Sequence, residues 1–186
     1  MAHIDFLDVS ITDVSAEIAE RLRPYATELE RLATIPGVGR RTAELLVAEI
    51  GTDMRRFPTA AHLVSWAGMC PGNDESAGKR RSGKTRKGSP WLRSILIEAA
   101  RAAGRTKRTY LAAQYHRLAA RRGTKRAAVA VGHTILVIVY CLLNEGDVYR
   151  DLGDRYFDER DRHTVERRLV ARLEGLGYTV SLAPAA

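Results

Sequence analysis

The chain has 186 residues, enough for one domain or for one domain with an extension. Hydrophobic residues make up 45% and aromatic residues only 6%, a balance that allows a core and favours helices over sheets. The two cysteines, Cys70 and Cys141, have no His at metal-ligand spacing, which argues against a disulfide scaffold or a zinc site. The net charge of +8 indicates a polyanionic partner, and we expect a reduced, cytoplasmic protein.

The first predicted element is a long amphipathic helix over residues 4–32, with apolar residues at helical spacing from Ile11 to Leu32. Pro24 is expected to kink this helix or to divide it in two. The apolar stripe is nearly heptad-like, so residues 1–33 form either part of the core or a coiled-coil-like extension against another chain or domain. The start of the chain shows no basic leader or apolar segment typical of a signal peptide.

Residues 34–51 come next, and they resemble a helix–hairpin–helix motif, in which Ile-Pro-Gly37-Val-Gly39 separates two helical segments. Gly37 and Gly39 are expected to adopt positive φ and to bring backbone N–H groups close to a phosphate. Arg40 and Arg41 would add charge, and the start of the second helix would add its dipole. Such a hairpin binds nucleic-acid backbone without reading bases. The alternative is a tight corner between two helices.

Five more helices are predicted before the C-terminus. Thr59 is an N-cap candidate for a helix ending near Gly68, and Ser89-Pro90 opens a helix to about Ala103. Further helices are expected over residues 106–122, 124–144 and 161–176. The apolar segment 127–143 is short for a membrane span, so we expect a buried central helix and no membrane partner. The sequence therefore predicts an all-α domain over residues 34–182, with residues 177–182 as a short strand or an ordered tail.

Between these helices, residues 70–90 predict a flexible, glycine-punctuated basic loop. The segment from Ala77 to Arg126 holds sixteen Lys or Arg and a single acidic residue, Glu98, which gives it a net charge of +15 against −7 for the remainder. We therefore expect one cationic face that holds a phosphodiester. The predicted contacts outside the hairpin are Lys79, Arg80, Arg81, Lys84, Arg86, Lys87 and Arg93. Ser76 lies just before the cations; Ser82 and Ser89 are competing hydroxyls, and Ser89 is better explained as a helix cap.

Several short motifs occur in a distinctive order: Ile35–Gly39, Ala48–Asp53, Phe57-Pro58, Ser65–Gly68, Cys70–Asn73, Ser76–Lys79, Gly88 and Leu92-Arg93. In this order they resemble the C-terminal domain of the bridge-RNA-guided insertion-sequence transposases of the IS116/IS110/IS902 type. Members of that family pair a RuvC-like DEDD domain with a serine-bearing domain. No such DEDD set is expected here, because Asp5, Asp8 and Asp13 lie in or before a helix.

The resemblance implies DNA transposition, with Ser76 as the nucleophile and Lys79, Arg80 and Arg81 neutralising charge on the phosphate. It implies DNA and a guide RNA as partners, a dimer or tetramer, and a place at the nucleoid. No metal or cofactor is expected in this chain, and Mg²⁺ is expected in the RuvC-like domain. Without that domain the chain is expected to be inactive alone. The alternatives are a non-catalytic DNA- or RNA-binding remnant or regulator, and a ribosome-associated RNA-binding protein.

Overall fold

The computed structural model describes residues 2–72 and 74–183, with the side chains of Asp74, Arg80 and Arg81 excepted. Helices make up most of this part, which confirms the all-α prediction. Their bounds are α1 Ala2–Leu22, α2 Ala26–Ala33, α3 Arg40–Ile50, α4 Ala60–Trp66, α5 Pro90–Ala103, α6 Tyr110–Arg122, α7 Thr124–Glu145, α8 Tyr156–Arg160 and α9 Arg162–Glu174. Two described strands, β1 (Asp74–Ser76) and β2 (Lys79–Ser82), pair antiparallel in the middle of the chain.

The N-terminal extension is divided as the sequence predicts. A short 3₁₀ turn with Pro24 near its start separates α1 from α2, because proline cannot donate the backbone hydrogen bond that a continuous helix needs. α1 has no buried residue, whereas α2 buries Leu29 and Leu32. Core packing within this chain therefore begins at α2. Contact of α1 with another chain or domain remains a prediction.

The core is arranged around α7. By length and composition alone α7 could cross a membrane, yet eight of its residues are buried against the surrounding helices. Its middle, at Gly132, lies against the carbonyl of Leu96 in α5 and the side chain of Met69, which follows α4. Burial among other helices accounts for the apolar composition of α7, and the prediction of a buried central helix is confirmed.

Two contacts fix the relative direction of α3 and α5. The turn at Gly37 lies against Ala99 and Ala103, near the C-terminus of α5. At the other end, the Ser89 hydroxyl donates to a Glu49 carboxylate oxygen at 2.8 Å, near the C-terminus of α3. The two helices therefore run antiparallel. We call the region around Gly37 and Ala103 the turn end, and the region around Glu49 and Ser89 the arm end.

A C-terminal segment closes over the turn end. One carboxylate oxygen of Asp151 accepts the backbone N–H of Tyr110, the first residue of α6, at 3.0 Å, and that of Gly153 at 2.7 Å. The backbone N–H of Tyr149 donates to the Thr34 hydroxyl at 3.1 Å. Residues 178–183 form no strand, so the strand alternative for this segment is wrong.

Candidate nucleic-acid interface

The basic segment is a paired β-arm, where the sequence predicts a loop; its flexibility stays a prediction. Pro71 and Thr85 form a bridge at its base, and the Gly72 N–H donates to the Lys84 carbonyl at 2.8 Å. Farther out, β1 and β2 pair in antiparallel register, with an irregularity between Asp74 and Glu75. Residues 71–72 and 74–85 thus form the arm, a two-stranded ribbon whose shape is fixed by backbone hydrogen bonds.

Ser76 lies at the tip of the arm. Its register partner is Lys79, and the two residues between them have positive φ, 51° for Ala77 and 71° for Gly78. This is the two-residue connection that favours a right-twisted hairpin. Ser76 and Lys79 are both exposed. Residues directly opposite in an antiparallel pair have Cβ atoms about 4.5–5.5 Å apart, so the hydroxyl and the ammonium can meet one bound phosphate.

The base of the arm is fixed by close backbone contact. A Cβ at Gly88 would lie 2.3 Å from the carbonyl oxygen of Ala67, which only glycine allows. The Arg93 guanidinium donates from one nitrogen to the carbonyl of Gly68 at 3.1 Å and to the Thr85 hydroxyl at 2.7 Å. Arg93, predicted as a nucleic-acid contact, is therefore placed as a brace between α5 and the arm. Contact of Arg93 with nucleic acid stays a prediction beside this bracing role.

The other hydroxyls of this region have local partners. Ser89 accepts the Leu92 N–H and caps α5, as predicted, and Ser82 accepts the Lys84 N–H at 3.2 Å. The exposed cations Lys84, Arg86 and Lys87 follow along the returning strand and the base. Arg80 and Arg81 lie in β2, and their side chains are outside the described part. The arm therefore presents Ser76 and a series of exposed cations together.

The hairpin at residues 34–39 has a different geometry from the one expected. Positive φ is confirmed at Gly37, 87°, but Gly39 is extended, with φ −84° and ψ 175°, so that expectation was wrong. Gly37 lies inward, where a Cβ would be 2.3 Å from the Ala99 carbonyl oxygen. Close packing on α5 therefore accounts for this glycine. Gly39 is exposed and begins α3 without a side-chain cap, which leaves that helix terminus accessible.

Arg40 and Arg41 are engaged by a carboxylate of their own helix. Glu44 is 5% exposed and accepts Arg40 Nε at 3.0 Å and Arg41 at 2.9 Å, one through each oxygen. Arg41 also donates to the hydroxyl of Ser15 in α1. These contacts hold both guanidiniums along α3 and offset part of their charge. A phosphate at this helix terminus would compete with Glu44 for them.

The structure does not bring the two predicted phosphate sites together. The hairpin lies at the turn end and the arm at the arm end, so the 14 residues of α5 separate them. At 1.5 Å per residue this is a distance of about 20 Å. The hairpin and the arm are therefore separate candidate sites, and the cationic face expected over residues 77–126 stays a prediction.

Sequence reasoning missed the pairing of the arm because the residues give little signal for it. Asp-Glu-Ser and Lys-Arg-Arg-Ser lack the β-branched and aromatic residues typical of strands, and Ala-Gly is a weak signal for a hairpin turn. In the described part of the chain, no three His, Cys, Asp or Glu side chains are close enough to hold a metal ion. Among the described side chains, the arm offers the exposed hydroxyl of Ser76, the exposed carboxylate of Glu75 and exposed cations, together with backbone amides.

Comparison with known families gives this geometry its context. Residues 29–116 match the model of the family described as Transposase IS116/IS110/IS902 family. The match runs from α2 into α6 and includes both the hairpin and the arm. The resemblance to insertion-sequence transposases is thereby confirmed for this segment.

Curated relatives agree with that result. A protein of Sinorhizobium fredii that carries the transposase name y4pF/y4sB is 36% identical over an alignment of 126 residues, and the match covers 65% of this chain and 32% of that protein. The Insertion element IS110 uncharacterized 43.6 kDa protein of Streptomyces coelicolor is 35% identical over 124 residues, 63% of this chain and 29% of that protein. The transposase for insertion sequence element IS1328 of Yersinia enterocolitica is 30% identical over 100 residues, 53% and 29% respectively. The chain spans about a third of the length of the curated relatives it matches.

Proposed function

We propose that this chain is the DNA-binding, serine-bearing module of an insertion-sequence transposase and acts in DNA transposition by site-specific recombination. One observation carries the proposal: the segment that matches the transposase family holds an exposed serine, Ser76, at the tip of a braced cationic arm. The proposed partners are the DNA of the element ends and the target, a guide RNA, and further copies of the chain in a dimer or tetramer. The proposed transposition would take place in the cytoplasm, at the nucleoid.

The proposed reaction is attack on a phosphodiester. Ser76 Oγ forms a bond to phosphorus, the bond from phosphorus to a deoxyribose oxygen breaks, and the serine proton ends on that leaving oxygen. The phosphoserine linkage keeps the energy of the broken bond, so the reverse attack can rejoin a strand. Lys79, opposite Ser76 in register, would neutralise charge that develops on the non-bridging oxygens. The brace at Arg93 would keep the hydroxyl in one position.

Mg²⁺ chemistry enters this proposal only through another domain. The described residues have no group of metal ligands, and no step above runs through a metal. The resemblance assigns Mg²⁺ to a RuvC-like domain, where it would polarise the phosphate. We therefore expect the chain to need that domain for strand transfer.

A denaturation-resistant adduct tests the proposal. The chain is mixed with a RuvC-like domain of a relative, guide RNA and end-labelled DNA, and the products are separated under denaturing conditions. We expect a protein–DNA adduct with the wild type and with the control Ser82→Ala, and none with Ser76→Ala. The partner domain is first shown to be competent with its own C-terminal part. If that competent partner gives no adduct with this chain, the catalytic proposal is wrong.

The second candidate is a non-catalytic nucleic-acid-binding remnant or regulator. The exposed cations of the arm favour this candidate, because they can bind a phosphate backbone without any attack by Ser76. It predicts DNA binding without an adduct under every condition above. The reading frame before the codon for Met1 separates the two as well, because a DEDD domain encoded there supports the enzyme.

A further inference from the structure

The corner between α6 and α7 is a second exposed cationic surface. All residues from Ala120 to Arg126 are exposed, and Gly123 at the turn has open space where a Cβ would lie. Four cations occupy this corner, and we refer to them as the corner cations: Arg121, Arg122, Lys125 and Arg126. The residues that match the transposase family end before this corner, at residue 116.

Two of the corner cations are placed where the fold itself does not favour them. Lys125 and Arg126 lie in the first turn of α7, which holds no acidic residue and has no side-chain cap. The N-terminus of a helix carries partial positive charge, so cations there are unfavourable and an anion is stabilising. A local destabilisation that no other contact in the fold offsets is typical of a binding surface.

The corner cations differ in their partners from the arginines that neighbouring carboxylates engage, although other exposed cations, such as Arg101 and Lys107, also lack a described carboxylate partner. Arg40 and Arg41 pair with Glu44, and Arg117 pairs with Asp158 at 3.1 Å. No described carboxylate pairs with any of the four corner cations; Arg121 donates instead to a backbone carbonyl, that of Arg117. Their charge is therefore available to an external anion.

The packing of α4 on α7 places this corner toward the arm. The Tyr140 hydroxyl donates to the Phe57 carbonyl at 3.0 Å, and farther toward the start of α7 the Met69 side chain lies against Gly132. α4 thus runs antiparallel to α7 and leads into the base of the arm. α7 begins eight residues before Gly132, which is about 12 Å farther in the same direction.

We propose that the corner cations bind the phosphate backbone of a B-form DNA duplex at the end of the molecule from which the arm projects. A two-stranded ribbon is an element that the major groove of B-DNA admits, while the deep, narrow major groove of an RNA helix does not admit side-chain reading. With the arm at the groove, the corner cations lie beside the flanking backbone. This inference rests on the proposed DNA-binding function and extends it to residues beyond the arm.

The test compares two variants with the same loss of charge. The corner variant is R121Q/R122Q/K125Q/R126Q, and the matched control is R101Q/R105Q/K107Q/R108Q, which removes four exposed cations around the C-terminus of α5. Binding to a short duplex DNA is measured by fluorescence anisotropy between about 50 and 200 mM salt. Each phosphate contact contributes about 0.9 to the slope of log affinity against log salt. We expect the corner variant to reduce the slope by about 3–4 and the control by less than about 1.

Each outcome bears on the inference. If the two variants have equal salt slopes, net charge alone governs binding and the inference is wrong. The inference is also wrong if the corner variant has a reduced slope on an RNA helix and not on DNA. Circular dichroism and the Tm check folding, and we expect the corner variant to keep or slightly raise its Tm, because cations leave the positive end of α7. Failure of the wild type to bind duplex DNA would end the proposed function as well. This test does not depend on a covalent adduct. If the wild type binds duplex DNA and the corner variant has the same salt slope as the wild type, only the inference about the corner cations is wrong.

Discussion

Substitution of Gly88 by alanine tests the reasoning that the arm is fixed by backbone contact at its base. A Cβ at Gly88 would lie 2.3 Å from the Ala67 carbonyl oxygen and 2.6 Å from the Gly68 nitrogen. An ordinary contact needs about 3.4 Å or more, so the two backbone segments must separate by roughly 1 Å. Gly88 does not have positive φ, and the effect of Gly88→Ala is therefore steric rather than conformational.

The expected cost follows from that overlap. Overpacking a tight contact costs about 1–3 kcal/mol, and the upper half of this range applies here because the overlapping atoms are backbone and cannot change rotamer. For a chain of this size 1 kcal/mol lowers the Tm by about 2–4 °C, so a decrease of about 4–12 °C is expected. Calorimetry measures the Tm, and duplex binding reports the position of the arm.

Gly39→Ala is the matched control. Gly39 also lacks positive φ, and a Cβ there would have no atom within 4 Å. Its expected cost is that of a weaker N-cap, below about 1 kcal/mol. If Gly88→Ala were as mild as Gly39→Ala, the close contact between residues 67–68 and 88 would not exist in solution and the account of a braced arm would be wrong.

Two further predictions concern the helices behind the arm. Asp151→Ala removes the acceptor of the Tyr110 N–H at the start of α6, so it should lower the free energy of unfolding by about 1–2 kcal/mol in denaturant melts; Asp154→Ala, at an exposed neighbour, should change it little. Burial lowers the pKa of His133 below its ordinary 6.5, so the unfolded state binds the proton more tightly and stability is lost as the pH falls through about 6.5. His133→Gln should remove that part of the pH dependence of stability, and identical pH profiles for His133→Gln and the wild type would contradict the burial argument.

The helices were predictable from sequence because their rules are local. Apolar spacing, the Ser89-Pro90 start of α5 and the interruption at Pro24 each depend on residues within one or two turns, and the structure has all three. The start of α6 was placed too early, at Thr106, because the chain first makes another turn and Thr109 supplies the cap. Local sequence signals therefore predict that a helix exists more accurately than they predict its first and last residues.

The site was less predictable because long-range contacts build it. In the sequence, Arg93 is one more cation of the basic segment. Only the hydrogen bond that its guanidinium donates to the carbonyl of Gly68, 25 residues away, makes it a brace. Ser76 could be singled out by type and position, but its place at a paired tip depends on the register with Lys79. Glu44 gives no sign in the sequence that it is buried and holds two arginines, since that depends on how α3 packs.

These contacts distinguish the two candidate phosphate sites that the sequence predicts. The glycine hairpin is the better-known motif, yet Glu44 already engages its arginines, and Asp151 lies at the same end of the molecule. At the arm end, Glu49 is engaged by the cap of α5, and the exposed cations lie on the arm and the corner. A polyanion gains most where cations are not already paired, because it then displaces only water and counterions. Of these two candidate sites, the arm should therefore be the primary contact of nucleic acid, because a phosphate at the hairpin must first separate Arg40 and Arg41 from Glu44.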